Sequence, residues 1–101
     1  MTKTFKLAPE PTLVTCPKCK ETYTHHGATR LFTRDTEDAD TGNLVVSEGF
    51  STLVKAQAPM GNNPSRRRNG IAIDMECEAC GPIGRLAIFQ HKGQTFIGWQ
   101  N

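Results

Sequence analysis

The chain reads as a mainly β protein, and three features carry that reading. Apolar and polar residues alternate at the two-residue period of half-buried strands, glycine-containing turn signals separate the runs, and only one segment also fits helical spacing. The clearest case is the tail: Arg85-Leu86-Ala87-Ile88-Phe89-Gln90-His91, then Lys92-Gly93, then Gln94-Thr95-Phe96-Ile97-Gly98-Trp99-Gln100. Two strand-like runs around a two-residue turn predict a hairpin. Its register sets Leu86 against Trp99, Ile88 against Ile97 and Gln90 against Thr95 on one side, and Phe89 against Phe96 on the other.

The remaining strands follow from the same alternation. Ile71, Ile73 and Met75 alternate with Ala72, Asp74 and Glu76, a strand that delivers Cys77 at its end. Residues 23–34 lead away from Cys19 as another strand candidate. Residues 44–46 and 50–57 predict a further hairpin around residues 47–49. Phe50, Leu53, Val54 and Gln57 also match helical spacing, so residues 50–57 stay open between strand and helix, with strand preferred.

A length of 101 residues predicts one domain, residues 1–101. The composition is 37% hydrophobic and 22% charged, apolar enough to fold, and no apolar run approaches the ~18 residues of a crossing helix. The amino-terminal residues 1–6 carry lysines without a following apolar stretch, which does not read as a secretory signal. The expected compartment is therefore the reducing cytoplasm.

The four cysteines form two pairs, Cys16-Pro17-Lys18-Cys19 and Cys77-Glu78-Ala79-Cys80. In a reducing compartment disulfides rarely persist, and two C-x-x-C pairs read as a zinc site. Each turn aims two thiolates at one point, and two turns complete a tetrahedron. A thioredoxin-type motif should open a helix within alternating strands and helices, and neither pair does. Four thiolates leave no position for water or substrate, so the expected zinc is structural. Metal loading also corrects the charge. The formal +2 of the bare chain becomes zero once four thiolates and a dication are counted.

These knuckles, with strands behind them and a terminal hairpin, resemble a zinc ribbon. The resemblance departs in the middle, where 57 residues separate Cys19 from Cys77, against ~15–20 in the simple pattern. This β-rich insertion, residues 20–76, is expected to form a second structural unit. More narrowly, Tyr23-Thr24-His25-His26, residues 63–70, Cys77-Glu78-Ala79-Cys80 and Gln90-His91-Lys92-Gly93-Gln94-Thr95 are similar to strings in small zinc-ribbon-like proteins of bacteria, phages and mobile elements. That resemblance implies a fold and no activity.

Charge is patchy along the chain. Residues 1–34 sum to +4, from Lys3, Lys6, Lys18, Lys20, Arg30 and Arg34 against Glu10 and Glu21. Residues 35–50 sum to −5, from Asp35, Glu37, Asp38, Asp40 and Glu48. Arg66, Arg67 and Arg68 sit in a loop framed by Pro64 and Asn69-Gly70. Guanidinium groups fork onto phosphate oxygens, so this triplet is the leading nucleic-acid contact, with Lys18 and Lys20 extending it if the two regions converge. The plainer reading is a solvated loop that partly neutralises the acidic segment. The acidic segment itself lacks the glutamate that closes a calcium loop and reads as solvated.

His25 and His26 point to opposite faces of a strand, so at most one joins a given site. A zinc-stapled nuclease of the His-Asn-His type wants a helix for its last metal-binding residue, whereas His91 adjoins a hairpin turn. Phe89 and Phe96 are expected to form a second core under the insertion, with the Leu86–Trp99 face building the first.

The sequence therefore predicts a non-catalytic, zinc-stabilised binding module for a macromolecule. Nucleic acid is the first candidate, through Arg66, Arg67, Arg68, Lys18 and Lys20, with zinc on Cys16, Cys19, Cys77 and Cys80. The alternative is a protein-binding adaptor or inhibitor of phage or mobile-element type, using the acidic loop and an exposed sheet edge. A metal-dependent nuclease using His25 or His26 stands third.

Overall fold

The computed structural model describes residues 11–100. Lys3, Lys6 and Glu10 of the charge count, and the signal reading of residues 1–6, lie outside them. Six strands form one sheet: β1 (Thr24–Arg34), β2 (Thr41–Glu48), β3 (Ser51–Pro59), β4 (Gly70–Cys77), β5 (Gly81–His91) and β6 (Gln94–Gln100). Their spatial order is β3-β2-β1-β4-β5-β6, and every neighbouring pair is antiparallel. No helix occurs among the described residues, so none is long and apolar enough to cross a membrane.

The terminal hairpin has the expected register, with Leu86 opposite Trp99, Ile88 opposite Ile97 and Phe89 opposite Phe96. Lys92 and Gly93 both take positive φ, 52° and 78°, which is how a two-residue turn matches the strand twist. Residues 50–57, open between helix and strand, fall mostly in β3. That strand is almost wholly exposed, because it is the sheet edge. A register shift between Gly42 and Leu44 and a positive φ of 55° at Gln57 distort this edge, and Lys55 charges it. Both features discourage further strand pairing.

The insertion is not a second structural unit. Its first and last strands, β1 and β4, pair with each other from Phe32↔Gly70 to Thr24↔Cys77. The β2–β3 hairpin then extends the same sheet on the far side of β1. The reason is the length of the flanking strands: at ~3.4 Å per residue, both run far enough to close a ladder that no short-range spacing reveals.

The two faces of the sheet differ. One buries Phe32 and Ala72, and Met60 packs on them together with Ala58 and Leu44. Met60 belongs to the β3–β4 connection, so this loop, residues 60–69, covers that face. The loop is held by buried polar groups. Asn63 Nδ2 donates to the carbonyl of Arg68 (2.9 Å), and its Oδ1 accepts from Ser65 N (2.9 Å). Fully buried Ser65 donates through Oγ to Asn69 O (2.5 Å) and accepts from Gln90 N (2.9 Å). Gly70 is needed here, because a Cβ would stand 2.3 Å from Asn63 Oδ1.

The opposite face carries two cross-strand rows. The first is Val54–Val45–Leu31–Ile71–Ile88–Ile97, and the second is Thr52–Ser47–Thr29–Ile73–Leu86–Trp99. None of these side chains is fully buried, and Val54, Leu31 and Trp99 are 67%, 42% and 36% exposed. Among the described residues, only the Cys77 end of this face is covered, where Val14, Ile73 and Leu86 pack on Cys16, Met75, Cys77 and Ile83. The Leu86–Trp99 face therefore forms a core at its Cys77 end, and beyond it, among the described residues, the face runs from half-buried to exposed. Phe89 and Phe96 stack at 5.6 Å between ring centroids, half-buried on the loop-covered side. Alternation told the two faces apart, but which one the loop crosses depends on tertiary contacts of Met60.

Candidate metal centre

Both knuckles are anchored at the start of β1. Cys16 N donates to Glu21 O (2.9 Å) and Lys20 N to Cys16 O (3.0 Å), closing the first turn. Thr24 Oγ1 then donates to Val14 O (3.2 Å), and Glu78 N donates to Tyr23 O (3.2 Å). Thr24 and Cys77 are ladder partners, so the antiparallel β1–β4 pair brings the second knuckle to the first. Sheet pairing, not sequence proximity, assembles the site.

The sulfur atoms of Cys16, Cys19, Cys77 and Cys80 all lie within 4.8 Å of one another, and Cys19 and Cys77 are 3.6 Å apart. A tetrahedral ion with metal–sulfur bonds of ~2.3 Å sets sulfur–sulfur edges near ~3.8 Å, so the cluster fits one ion. The two knuckles match each other. Lys18 N donates to Cys16 Sγ and Ala79 N to Cys77 Sγ, both at 3.4 Å. Cys16 and Cys77 are buried, whereas Cys19 and Cys80 are exposed.

The electrostatics of the cluster favour a cation. Burial pushes the Cys16 thiol up, but the N–H groups of Cys19 and Lys18 with the Cys19 and Cys77 side chains bring it down to about 7. The Cys19 side chain, with partial burial and the remaining cysteines, pushes Cys80 up to about 12. Four sulfurs this close cannot all ionise unless positive charge enters among them. An ion bound by all four sulfurs in a tetrahedron would have its shell filled.

The other candidate residues divide between the two ends of β4. Lys18 and Lys20 stand at the Cys77 end, and Arg66, Arg67 and Arg68 directly precede Gly70 at the opposite end, so the two groups do not converge. Arg67 forks onto Asp38 through Nε and through Nη2 (2.8 Å to Oδ2), and Arg68 pairs with Glu37 (2.8 Å). Arg67 holds the Asp38 carboxyl below the usual carboxylate range, although desolvation works against it. The acidic segment and the arginine loop neutralise each other. Arg66, Arg67 and Arg68, with His91 and Lys92, line a recess of about 330 Å³ on this side.

His25 hydrogen-bonds Glu78 (2.8 Å), and His26 is exposed on the ladder opposite Met75. Both lie at the metal end, far along the sheet from Arg66–Arg68 and His91, so the groups of a nuclease site are not assembled.

Arg34, counted above only for its charge, ties two loops together. Its guanidinium donates to the carbonyls of Arg68 (3.0 Å), Ala39 (2.5 Å) and Ser65 (2.6 Å), tying the acidic and arginine loops to the end of β1. Nothing local marks it, because its partners are backbone atoms 5, 31 and 34 residues away.

The chain matches no protein-family model, and no curated protein or solved structure matches it. What the fold and site define is a mainly β, single-sheet protein with a four-cysteine cluster suited to one metal ion.

Proposed function

We propose that this chain is a non-catalytic, zinc-stabilised binding module whose partner is a protein, contacted through the open face of the sheet. Zinc suits four thiolates in a tetrahedron, and the two matched knuckles with the β5–β6 hairpin give the site its ribbon-like character. The ion's role is to staple β1 and the second knuckle together at one end of the sheet, in a cytoplasmic setting that keeps the thiols reduced.

One observation carries the choice of partner. The two cross-strand rows of the open face hold nine apolar residues in twelve and no ionisable side chain. An uncharged, apolar, exposed patch is a protein-contact surface, since nucleic acid is held first by cationic contacts to phosphate. Nucleic acid remains the second reading because of Arg66, His91 and Lys92 around one recess. Two of the three loop arginines already face carboxylates, which weakens that surface.

Val54 and Leu53 give an internal control for the test. They are neighbours on β3, 67% and 64% exposed, with side chains on opposite faces of the sheet. A photo-crosslinking residue at position 54 should capture protein in the native host, and the same residue at position 53 should not. Equal capture from both positions, or adducts to nucleic acid alone, would defeat the proposal.

A further inference from the structure

Resting on that reading of the open face, we infer that its partner is a second copy of this chain, docked face to face about a two-fold axis that runs along the strands between β1 and β4.

Two identical charged faces repel when brought together, but these two rows carry no ionisable group, and Glu37 and Arg68, which line a recess with Leu31, Ile71 and Ile88, pair with each other. The charged pairs of the sheet lie on the other face, where Asp74 bridges Arg30 and Arg85.

Shape comes next. In the second row, the β1–β3 half is small (Thr29, Ser47, Thr52) and the β4–β6 half is large (Ile73, Leu86, Trp99). A two-fold axis parallel to the strands lays one half over the other. Trp99 of each copy then covers Thr52 of its mate, while Leu86 and Ile73, which also pack on the Cys77-end cluster of their own chain, lie over Ser47 and Thr29. In the first row the same operation sets Leu31 on Ile71, Val45 on Ile88 and Val54 on Ile97, large on large. Small positions meet large ones throughout the second row, as interdigitated sheet faces require.

Area sets the strength. Six strands at ~4.8 Å and two side-chain rows at ~7 Å give roughly 400 Å² per copy. The two copies together bury roughly 800 Å², the size of a weak, transient contact. The dimer is therefore expected to be weak, on the order of micromolar.

The test is sedimentation of the zinc-loaded full chain across that concentration range, beside Leu31→Lys and Val54→Lys. Both positions are exposed in the single copy, so the variants should keep the wild-type circular dichroism and melting behaviour while dimerisation weakens at least ten-fold. In a mixed isotope-labelled sample, intermolecular contacts should join Trp99 ring protons to the Thr52 methyl. A dimer indifferent to both lysines would overturn the inference, since it would be formed elsewhere. A monomer at every concentration whose Leu31 and Ile88 methyls feel a soluble paramagnetic probe would overturn self-pairing and leave the face free for another protein. A monomer with those methyls shielded would overturn both, because the face would be filled from within its own chain.

Discussion

Lys20 and Gly81 occupy the same place in the two knuckles, directly after the second cysteine, and both take positive φ, 68° and 76°. Glycine adopts this conformation freely, whereas lysine is strained in it by about 1 kcal/mol. Lys20→Gly is therefore expected to leave stability unchanged or raise it by up to ~1 kcal/mol, and Gly81→Ala to lower it by about 1 kcal/mol or more. Open space around Gly81 means that the penalty comes from the backbone and not from a clash. Denaturant unfolding of the metal-loaded proteins measures both.

Asp74 accepts hydrogen bonds on one oxygen from Arg30 Nη1 (2.6 Å) and Arg85 Nε (3.0 Å). Partial burial pushes this carboxyl up, but the two guanidinium groups outweigh burial and leave it below its ordinary value of 3.8. A depressed folded-state value gives stability that is present above pH 3.8 and lost as pH falls through the lower folded value. The side chain is 39% exposed, so solvent screening limits the effect to about 1 kcal/mol. Melting temperatures should show wild type above Asp74→Asn near neutrality, with the difference closing in acid.

The β3–β4 loop is held against Gly70 with no room to spare. A Cβ there would meet Asn63 Oδ1 at 2.3 Å and Pro64 Cγ at 2.9 Å. Gly70→Ala should cost ~1–3 kcal/mol by overpacking, and Asn63→Ala a similar ~1–3 kcal/mol by stripping partners from Ser65 N and Arg68 O. The two penalties should be less than additive, because removing Asn63 frees part of the space the new methyl needs. A double-mutant cycle by urea unfolding reads the coupling.

If the chain binds nucleic acid at all, the contact should depend on Arg66 and Lys92, which line the recess beside Arg67 and Arg68. Arg67 and Arg68 are already engaged by Asp38 and Glu37, and their removal should matter less. Each lost phosphate contact should flatten the salt dependence of binding by about one unit of slope. Filter binding at several salt concentrations compares the alanine variants. Lys18→Ala should not alter this contact, since Lys18 lies at the other end of β4.

Local patterns made several elements legible. The Lys92-Gly93 turn pins the terminal hairpin, so its register followed from counting outward. Alternation of Ile71, Ile73 and Met75 located β4 and placed Cys77 at its end. The two C-x-x-C turns identified the sulfur cluster before any fold was known. What escaped was long-range. The β1–β4 ladder joins Thr24 to Cys77 across most of the insertion, and no local spacing encodes that pairing. The face covered by Met60, the triple grip of Arg34 and the strained φ of Lys20 depend likewise on contacts formed only in the folded chain.

Cys16, Cys19, Cys77 and Cys80 are proposed to hold one zinc ion jointly. X-ray absorption at the zinc edge of the purified chain, with metal content measured on the same sample, tests it most directly. The expected result is one zinc per chain with four sulfur neighbours at ~2.3 Å and no oxygen or nitrogen ligand. Absence of stoichiometric metal from protein with reduced cysteines, or a shell containing fewer than four sulfurs, would contradict it.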